Sequence, residues 1–343
     1  MMAIQNSILV VDGLNVFMRH FAVSEAVNAG GQLVGGATGF IKAIGAATEL
    51  LKPEKLFVVW EQGGPSQRRK HIFPGYKANR STNKKINEMY RKDGKYKASS
   101  DESNKIFQLS LCAKALSHTP VCQVYVPDTE ADDVIAYIVK QKYRSEMLEG
   151  KRRTKFVMSS DKDFYQLLED DTVRIYDPAR KIIIDAGWVL ENFAAHPRNI
   201  TLARAVVGDP SDNLDGVDGI GFKTITSRFQ DLKRDDVDLD TSWLFEAAER
   251  AARGLSGRVP KCYESIKSSA DIIERNWKLM YLDASSLAAN QIAKINYKID
   301  EHDNNKVCNR LDYIKVFAAV DIPVDAGIDR SFTQLKRLMT LSE

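Results

Sequence analysis

Three carboxylates in this 343-residue sequence each follow a short apolar run of Val, Ile, Leu or Phe within three residues: Asp12, Glu61 and Asp161. Apolar runs without alternation are typical of strands that are buried on both faces of a sheet. The carboxyl ends of parallel strands lie at one edge of the sheet, and open α/β sheets bind their ligands there. The pattern predicts an acidic site at this edge.

Six further acids occupy informative positions in the sequence. Three of them open a segment with helical periodicity, one stands two residues after Asp161, and two lie in an Asp- and Gly-rich stretch: Glu130, Asp132, Asp133, Asp163, Asp209 and Asp212. Each acid alone is explained more simply as a solvated side chain or a helix N-cap. The whole set at such positions favours a shared site.

Bare carboxylates that converge repel one another, and several of them would take up protons. Divalent cations remove this conflict, and an all-oxygen ligand set without nearby His or Cys favours Mg²⁺, with Mn²⁺ as a substitute, over zinc. The set holds more carboxylates than one ion needs, which suggests two ions. Paired metal ions can activate water and stabilise the attacking and leaving oxygens of phosphodiester hydrolysis.

A basic segment follows the second apolar run. Residues 62–97 contain eleven Lys and Arg residues against Glu88 and Asp93, a net charge of +9. Tyr76, Tyr90 and Tyr96 are interleaved with these charges. Cations among aromatic side chains suit single-stranded nucleic acid, which offers phosphates and unstacked bases together. The alternative is a solvated loop with scattered charge.

A glycine-rich turn, GVDGIGFKT at residues 216–224, precedes another helical stretch. Gly219, Gly221 and Lys223 suit an interaction in which backbone N–H groups and a lysine hold a DNA phosphate. A plain tight turn explains the glycines equally well.

The order of elements predicts an α/β fold with a mostly parallel sheet. Apolar runs at 8–11, 56–60, 121–126 and 156–158 predict strands, and residues 173–184 predict a hairpin. Helical periodicity appears at 37–51, 105–117 and 130–142. The character becomes mainly helical after Trp188, which predicts a catalytic domain over 1–187 and a helical region over 188–343.

Composition sets limits on the class of protein. The net charge is only +3, the apolar content is 44% and 28% of residues are charged, as in ordinary globular proteins. The four cysteines form no CxxC pair, and no apolar stretch is long enough for a membrane span. The N-terminus lacks the basic region of a secretory signal. We expect a cytoplasmic protein, in the host cytoplasm if a phage encodes it.

The combination of motifs resembles the 5′ nuclease family, the flap endonucleases and 5′–3′ exonucleases. The similarity is greatest to small stand-alone phage and bacterial members of the phage ribonuclease H type. The matching segments occur in the family's order and are LVVDG (9–13), RKHIFPGYKANR (69–80), DTEADDVIA (128–136), SSDKDFYQLL (159–168) and GDPSDNLDGVDGIGFKT (208–224). The resemblance implies a PIN-like α/β core, a helical arch at about 81–105 and a helix–three-turn–helix at about 200–230.

The resemblance also implies roles for individual residues. Residues that look like ligands around a first metal ion are Asp12, Glu61, Glu130 and Asp132, with Asp161 near both ions. Residues that look like second-metal or outer-sphere groups are Asp133, Asp163, Asp209 and Asp212. Lys77 and Arg80 match the basic pair that reaches the scissile phosphate, which with Asp161 makes them the expected catalytic residues. Expected DNA contacts are Arg69, Tyr76, Lys84, Lys85, Arg91, Lys92, Gly219, Gly221 and Lys223, with K⁺ possible at the hairpin.

The activity implied is Mg²⁺-dependent hydrolysis at a 5′ flap, a nick or a free 5′ end of DNA, with removal of RNA from RNA–DNA hybrids during replication. A sliding clamp or single-strand-binding protein is a further candidate partner, and residues 334–338 (QLKRL) resemble short clamp-binding peptides only loosely. Glu61 departs from the family, which more often has Asp there. Two alternatives stay open from sequence: a single-strand ribonuclease of the related PIN type, and an inactive protein that binds DNA junctions.

Overall fold

Buried strands form the centre of the molecule. In the computed structural model, the described residues are 7–61, 65–81, 99–144, 147–148, 151–254 and 260–342. The strands are β1 (Ser7–Asp12), β2 (Lys55–Trp60), β3 (Cys122–Tyr125), β4 (Met147–Leu148), β5 (Lys151–Arg152), β6 (Thr154–Met158), β7 (Val173–Asp177) and β8 (Ile182–Ile184).

Six of these strands form one sheet in the order β3-β2-β1-β6-β7-β8. All neighbouring pairs are parallel except β7 and β8, which form the hairpin expected over 173–184. All six residues of β1 are buried, as the unalternated apolar run predicted. The predicted fold class, a mostly parallel sheet with flanking helices, is confirmed.

Helices cover both faces of the sheet and form most of the second half of the chain. They are α1 (Gly13–Phe21), α2 (Gly35–Leu51), α3 (Gln67–Ile72), α4 (Ser99–Leu116), α5 (Ala131–Tyr137), α6 (Ala186–Phe193), α7 (Pro197–Val207), α8 (Phe222–Arg228), α9 (Thr241–Arg253), α10 (Lys261–Ser268), α11 (Ala270–Met280), α12 (Ala289–Asn304), α13 (Arg310–Ala318) and α14 (Ala326–Lys336). The helix expected over 130–142 is α5 followed by a π-helical turn at Ile138–Lys142.

Two hydrophobic cores lie on the two faces of the sheet. Ile8 and Val10 of β1 belong to one core, and Leu9 and Val11 belong to the other. Each core also contains residues from beyond position 187, such as Ile200 in the first and others from α13 and α14 in the second. The predicted boundary near 187 therefore coincides with no change of core in the described residues, and it stays a prediction.

Helix α14 packs closely on α2. A Cβ atom at Gly45 would lie 2.9 Å from the Cα atom of Ser331, so a side chain at Gly45 would hold the two helices apart. Leu335 and Leu338 are buried in the core below α14. The segment that loosely resembles a clamp-binding peptide thus points its leucines inward, as in an ordinary amphipathic helix. No helix in the described ranges combines the length and apolar character that a membrane span requires.

Truncation of Leu335 tests this packing. We expect Leu335→Ala to lower the free energy of unfolding by about 2–5 kcal/mol, because it leaves a cavity between α14 and α2. Urea denaturation measures the change. Lys336→Ala, at an exposed position of the same helix, is the control and should stay within about 0.5 kcal/mol of wild type. Equal effects of the two changes would contradict the packing described here.

Candidate active site

The site begins where β1 turns into α1. Asp12 caps this helix by accepting a hydrogen bond from the backbone N–H of Asn15 at 3.1 Å. The next residue must be glycine, because a Cβ atom at Gly13 would lie 2.6 Å from the Trp60 ring and 2.7 Å from the Val59 carbonyl oxygen. The close approach of β2 thus leaves no room for a side chain at the position that follows Asp12.

The loop after β6 is tied to the loop after β1. The Ser159 hydroxyl donates to Asp12 Oδ2 at 3.1 Å, and the Ser160 N–H and hydroxyl donate to Asn15 Oδ1 at 3.2 and 3.0 Å. Asp161 Oδ1 in turn accepts from the Asp163 N–H at 2.8 Å. These bonds place Asp161 beside Asp12 at the edge of the sheet.

Two further carboxylates complete a small cleft. Glu61 follows β2, and its Oε2 atom accepts from the Ala131 N–H at 3.1 Å, at the start of α5. Asp132 stands in the first turn of that helix. The cleft has a volume of about 260 Å³, and its lining residues are Asp12, Leu14, Asn15, Met18, Glu61, Lys77, Asp132 and Asp161.

The carboxylates in the cleft oppose one another's ionisation. Burial, then the charge of Glu61, raises the pKa of Asp12 to about 7, against the hydrogen bonds from Asn15 and Ser159. Burial raises the pKa of Asp132 well above its ordinary value, and Asp161, Asp12 and Glu61 add to this against the opposing charge of Lys77. The cleft is therefore a region of uncompensated negative charge when all its acids are ionised.

The donor chemistry of this cleft fits a hard divalent cation. Its donors are carboxylate oxygens, without a histidine or cysteine among the lining residues. Within the part of the chain that the structure describes, no group of three or more His, Cys, Asp or Glu side chains already stands in a metal-binding arrangement.

Glu130 and Lys77 form an ion pair at the wall of the cleft. Lys77 Nζ lies 2.5 Å from Glu130 Oε2, and both side chains are buried. Burial opposes the ionisation of Glu130, but Arg69 and Lys77 outweigh it and lower its pKa to about 2. Glu130 is therefore already neutralised by these two cationic side chains.

The backbone of Lys77 has a positive φ of 57°, which is uncommon for a residue with a side chain.

Arg69 lies in a different place from the one expected. Its guanidinium binds both oxygens of Asp133 at 2.8 and 3.1 Å, contacts Glu130 at 3.0 Å and donates to the Leu279 carbonyl at 3.1 Å. The residue is only 1% exposed. The expected direct contact between Arg69 and DNA needs correction, since these protein groups already occupy the guanidinium. Asp133 likewise lies in a closed ion pair rather than at the cleft.

Tyr76 is also buried, so the expected stacking on DNA bases needs the same correction. Its hydroxyl donates to Asp212 Oδ2 at 3.3 Å, and its ring lies 4.9 Å from Lys77 Nζ. The Lys77 N–H donates to the Asp212 carbonyl at 2.9 Å, and Asn213 Nδ2 donates to the Gly75 carbonyl at 2.8 Å. The FPGYK segment and the loop after α7 therefore form one unit.

Asp163 and Asp209 converge on one buried arginine. Arg204 Nη2 lies 2.6 Å from Asp163 Oδ1 and 2.8 Å from Asp209 Oδ2. Burial raises the pKa of Asp163 to about 7 despite Arg204, while Arg204 and the bonds from Ser211 outweigh burial and lower the pKa of Asp209. Contact with two carboxylates keeps Arg204 charged. The 2.6 Å contact with its guanidinium favours the ionised form of Asp163.

The remaining predicted residues lie apart from the cleft or outside the described side chains. Gly219 and Gly221 are exposed in the turn before α8, and Gly219 has a positive φ of 74°. Lys223 is exposed in the first turn of that helix. The predicted DNA contacts at Lys84, Lys85, Arg91 and Lys92, and most of the arch, lie outside the described residues. The same holds for the Arg80 side chain. The DNA contacts of these residues stay predictions.

The sequence patterns missed three residues that organise the site: Asn15, Ser159 and Arg204. Asn15 and Ser159 stand three residues after Asp12 and two before Asp161, so their proximity to the motifs was a usable signal. Arg204 lies within a helix and five residues before Asp209. Its partner Asp163 is 41 residues away, which no local pattern reveals.

Comparison with known proteins identifies the family. A family model of the 5′–3′ exonuclease N-terminal resolvase-like domain matches residues 7–194, more than half of the chain. The chain belongs to the 5′–3′ exonuclease family. The family predicted from the sequence motifs is thereby confirmed.

Two relatives illustrate the range of this family. DNA polymerase I of Thermus thermophilus is 30% identical over 218 residues, which cover 63% of the chain and 23% of the polymerase. The chain thus spans about a quarter of that relative's length. A 5′–3′ exonuclease of Bacillus subtilis is 24% identical over 277 residues, which cover 78% of the chain and 83% of that relative.

Two solved structures share the fold. A bacteriophage T5 flap endonuclease in complex with DNA and metal ions has a TM-score of 0.61 at 19% identity, over 90% of this chain and 98% of that one. A T5 5′-exonuclease with bound zinc has a TM-score of 0.63 at 19% identity, over 90% and 99% of the two chains. The exonuclease-family fold therefore extends through most of the chain.

The buried position of Arg69 leads to a stability prediction. We expect Arg69→Gln to lower the free energy of unfolding by about 3–5 kcal/mol, because it leaves Asp133 without its main buried partner. Arg68→Gln is the matched control. Arg68 is 40% exposed and lies 3.8 Å from Asp133, so its loss should cost less than about 1 kcal/mol. Urea denaturation of both variants decides, and similar values would refute the buried network.

The raised pKa of Asp12 leads to a pH prediction. An acid with a raised pKa in the folded state stabilises the fold below its ordinary value of 3.8, and this contribution is lost as the pH rises through about 7. In EDTA, wild-type thermal stability should therefore fall between pH 5 and pH 8, and Asp12→Asn should flatten the fall.

Mg²⁺ at pH 8 should raise the melting temperature of wild type more than that of Asp12→Asn, because ligand binding stabilises the folded state. Asp218→Asn, at an exposed acid in the glycine turn, is the control and should behave as wild type. A wild-type melting temperature that is independent of both pH and Mg²⁺ would contradict this account of the cleft.

Proposed function

We propose that the chain is a structure-specific 5′ nuclease that hydrolyses phosphodiesters near a free 5′ end or a 5′ flap of DNA. The observation that carries the proposal is the cleft at the edge of the sheet. It combines four carboxylates with one ammonium group: Asp12, Glu61, Asp132, Asp161 and Lys77. The membership in the 5′–3′ exonuclease family supports the same chemistry.

The four cleft carboxylates would hold a divalent cation, and their oxygen donors favour Mg²⁺ or Mn²⁺. Such a cation supplies Lewis-acid stabilisation of a phosphoryl oxygen. Asn15 and Ser159 both donate to the Asp12 carboxylate, and the backbone N–H of Asp161 donates to the Ser159 hydroxyl oxygen, so the loops after β1 and β6 hold both residues at the cleft. A second cation is the expected partner of Asp163, Asp209 and Asp212, among which Arg204 already pairs with two.

Lys77 is the proposed electrostatic catalyst. Its ammonium lies in the wall of the cleft, held by Glu130 and by the backbone contact with Asp212. A cation fixed in this way can neutralise charge that develops on a phosphate without reorganising during the reaction. Arg80 is proposed to assist it, since it stands three residues later in the same motif.

The proposed substrate is DNA recognised by its structure rather than by its sequence. The exposed turn with Gly219 and Gly221, together with Lys223 at the start of α8, would bind the duplex through phosphates, which carry little base information, with K⁺ as a candidate ion there. The T5 relative was solved with DNA and metal ions, which supports this substrate class. RNA–DNA hybrids are the second proposed substrate, and replication in the cytoplasm is the proposed setting.

A substrate panel tests this function. A 5′-labelled flap, a nicked duplex, an RNA–DNA hybrid and a single-stranded RNA are incubated with Mg²⁺ or with EDTA, and product sizes are read. We expect Mg²⁺-dependent cleavage near the flap junction, with the single-stranded RNA left intact. Cleavage of RNA alone would favour the PIN-type ribonuclease, and binding without cleavage would favour an inactive junction-binding protein.

Variants of the cleft sharpen the result. Lys77→Ala should reduce flap cleavage by roughly 10²- to 10³-fold, the usual effect of removing one transition-state donor. Asp161→Asn should reduce it at least as much because it removes a cleft carboxylate. Lys162→Ala, at an exposed neighbour of Asp161, is the control and should cleave as wild type. Unchanged cleavage by folded Lys77→Ala and Asp161→Asn would overturn the assignments.

A further inference from the structure

Two groups of carboxylates stand at this end of the sheet, and their surroundings differ. The first group, at the cleft, has Lys77 as its cationic neighbour at the wall. The second group, Asp163 and Asp209, has a guanidinium placed between its two members at 2.6 and 2.8 Å. The same nitrogen, Arg204 Nη2, makes both contacts. It occupies a position between two carboxylates that a bridging cation would otherwise suit.

The burial of Arg204 makes its two ion pairs costly to break, but it also leaves one nitrogen of the guanidinium group without a partner. Its side chain is 7% exposed, and its Nε atom is buried without a hydrogen-bond partner. Removing a guanidinium from two buried carboxylates leaves them uncompensated. The orphaned Nε–H carries a desolvation cost of its own. Asp163 and Asp209 therefore need a cation between them, while the Arg204 guanidinium makes hydrogen bonds with only some of its N–H donors.

We propose that Arg204 is the resident cation of the Asp163–Asp209 pair and excludes a second divalent cation from it in the DNA-free protein. The chain then binds one divalent cation tightly, at the cleft, and a second one only in competition with Arg204. This inference rests on the proposed function, since it concerns the second of the two expected ions.

Replacement of Arg204 by a divalent cation would also affect the cleft, because the turn that follows Asp209 contacts Lys77. Asp209 begins the Pro210–Asp212 turn, whose carbonyl at Asp212 accepts from the N–H of Lys77. A guanidinium that leaves Asp209 frees the start of the segment that positions Lys77. Arg204 is therefore a positioning residue, which acts on the reaction through Asp209 and Lys77.

Counting bound ions tests the proposal without measuring activity. Wild type and Arg204→Gln are titrated with Mn²⁺ in the absence of DNA, and free Mn²⁺ is followed by electron paramagnetic resonance. We expect one tight ion for wild type and two for Arg204→Gln. The affinity for the second ion should rise by roughly 5- to 150-fold, the range of ordinary coupling between two binding events. Arg204→Lys keeps the positive charge and should bind as wild type.

A second variant keeps the proposal testable if Arg204→Gln does not fold. The double variant Asp163→Asn, Asp209→Asn should bind as many tight Mn²⁺ ions as wild type, because Arg204 and not an ion occupies this pair. Loss of one tight ion in the double variant would overturn the proposal. Two equally tight ions in wild type would overturn it as well, and so would a folded Arg204→Gln variant that binds no more ions than wild type.

Failure of the proposed function has a different outcome. If neither wild type nor Asp12→Asn binds Mn²⁺, the cleft is not the metal site that the nuclease proposal requires. A gain of one ion in Arg204→Gln over wild type would still support the role of Arg204. The two ideas are therefore separated by which variant changes the ion count.

Discussion

The structure around the sheet edge depends on one constraint, which is the cost of gathering carboxylates in a partly buried place. Asp12, Glu61 and Asp161 arrive there because parallel strands end at one edge, and Asp132 joins them from the start of α5. Like charges at close range raise one another's pKa and destabilise the fold. Each carboxylate therefore needs a cation, a hydrogen-bond donor or a proton.

The chain meets this requirement in two ways. Glu130 and Asp133 are neutralised by Arg69 and Lys77 within a buried network, which holds α3 and the FPGYK segment against α5. The carboxylates of the cleft instead keep solvent space in front of them. Fixed ion pairs give a rigid wall, and the cleft concentrates the unbalanced charge that an external cation can satisfy. The same residue type thus stabilises the fold in one position and, in the proposed function, holds a cation in the neighbouring one.

Much of the fold and the acidic edge could be predicted from sequence, because both follow from local patterns. Unalternated apolar runs gave β1, β2, β3 and β6 to within a few residues, and the acids after them marked the edge. The destinations of Arg69 and Tyr76 could not be predicted in this way. A run of cations looks alike whether its members face solvent or a buried carboxylate, and the buried partners of Arg69 lie far along the chain, at Glu130, Asp133 and Leu279.

The loop after α7 shows why the separate motifs belong together. Its backbone and side chains bind Arg204, Tyr76, Lys77 and Gly75, so it contacts both the second carboxylate pair and the segment that carries the cleft lysine. Asp209 contacts Arg204 and begins the turn whose Asp212 carbonyl accepts from the Lys77 N–H, so this turn connects the Arg204 contact to the segment that carries Lys77. The motifs at 69–80, 159–168 and 208–224 therefore form one electrostatic unit, although the chain separates them widely.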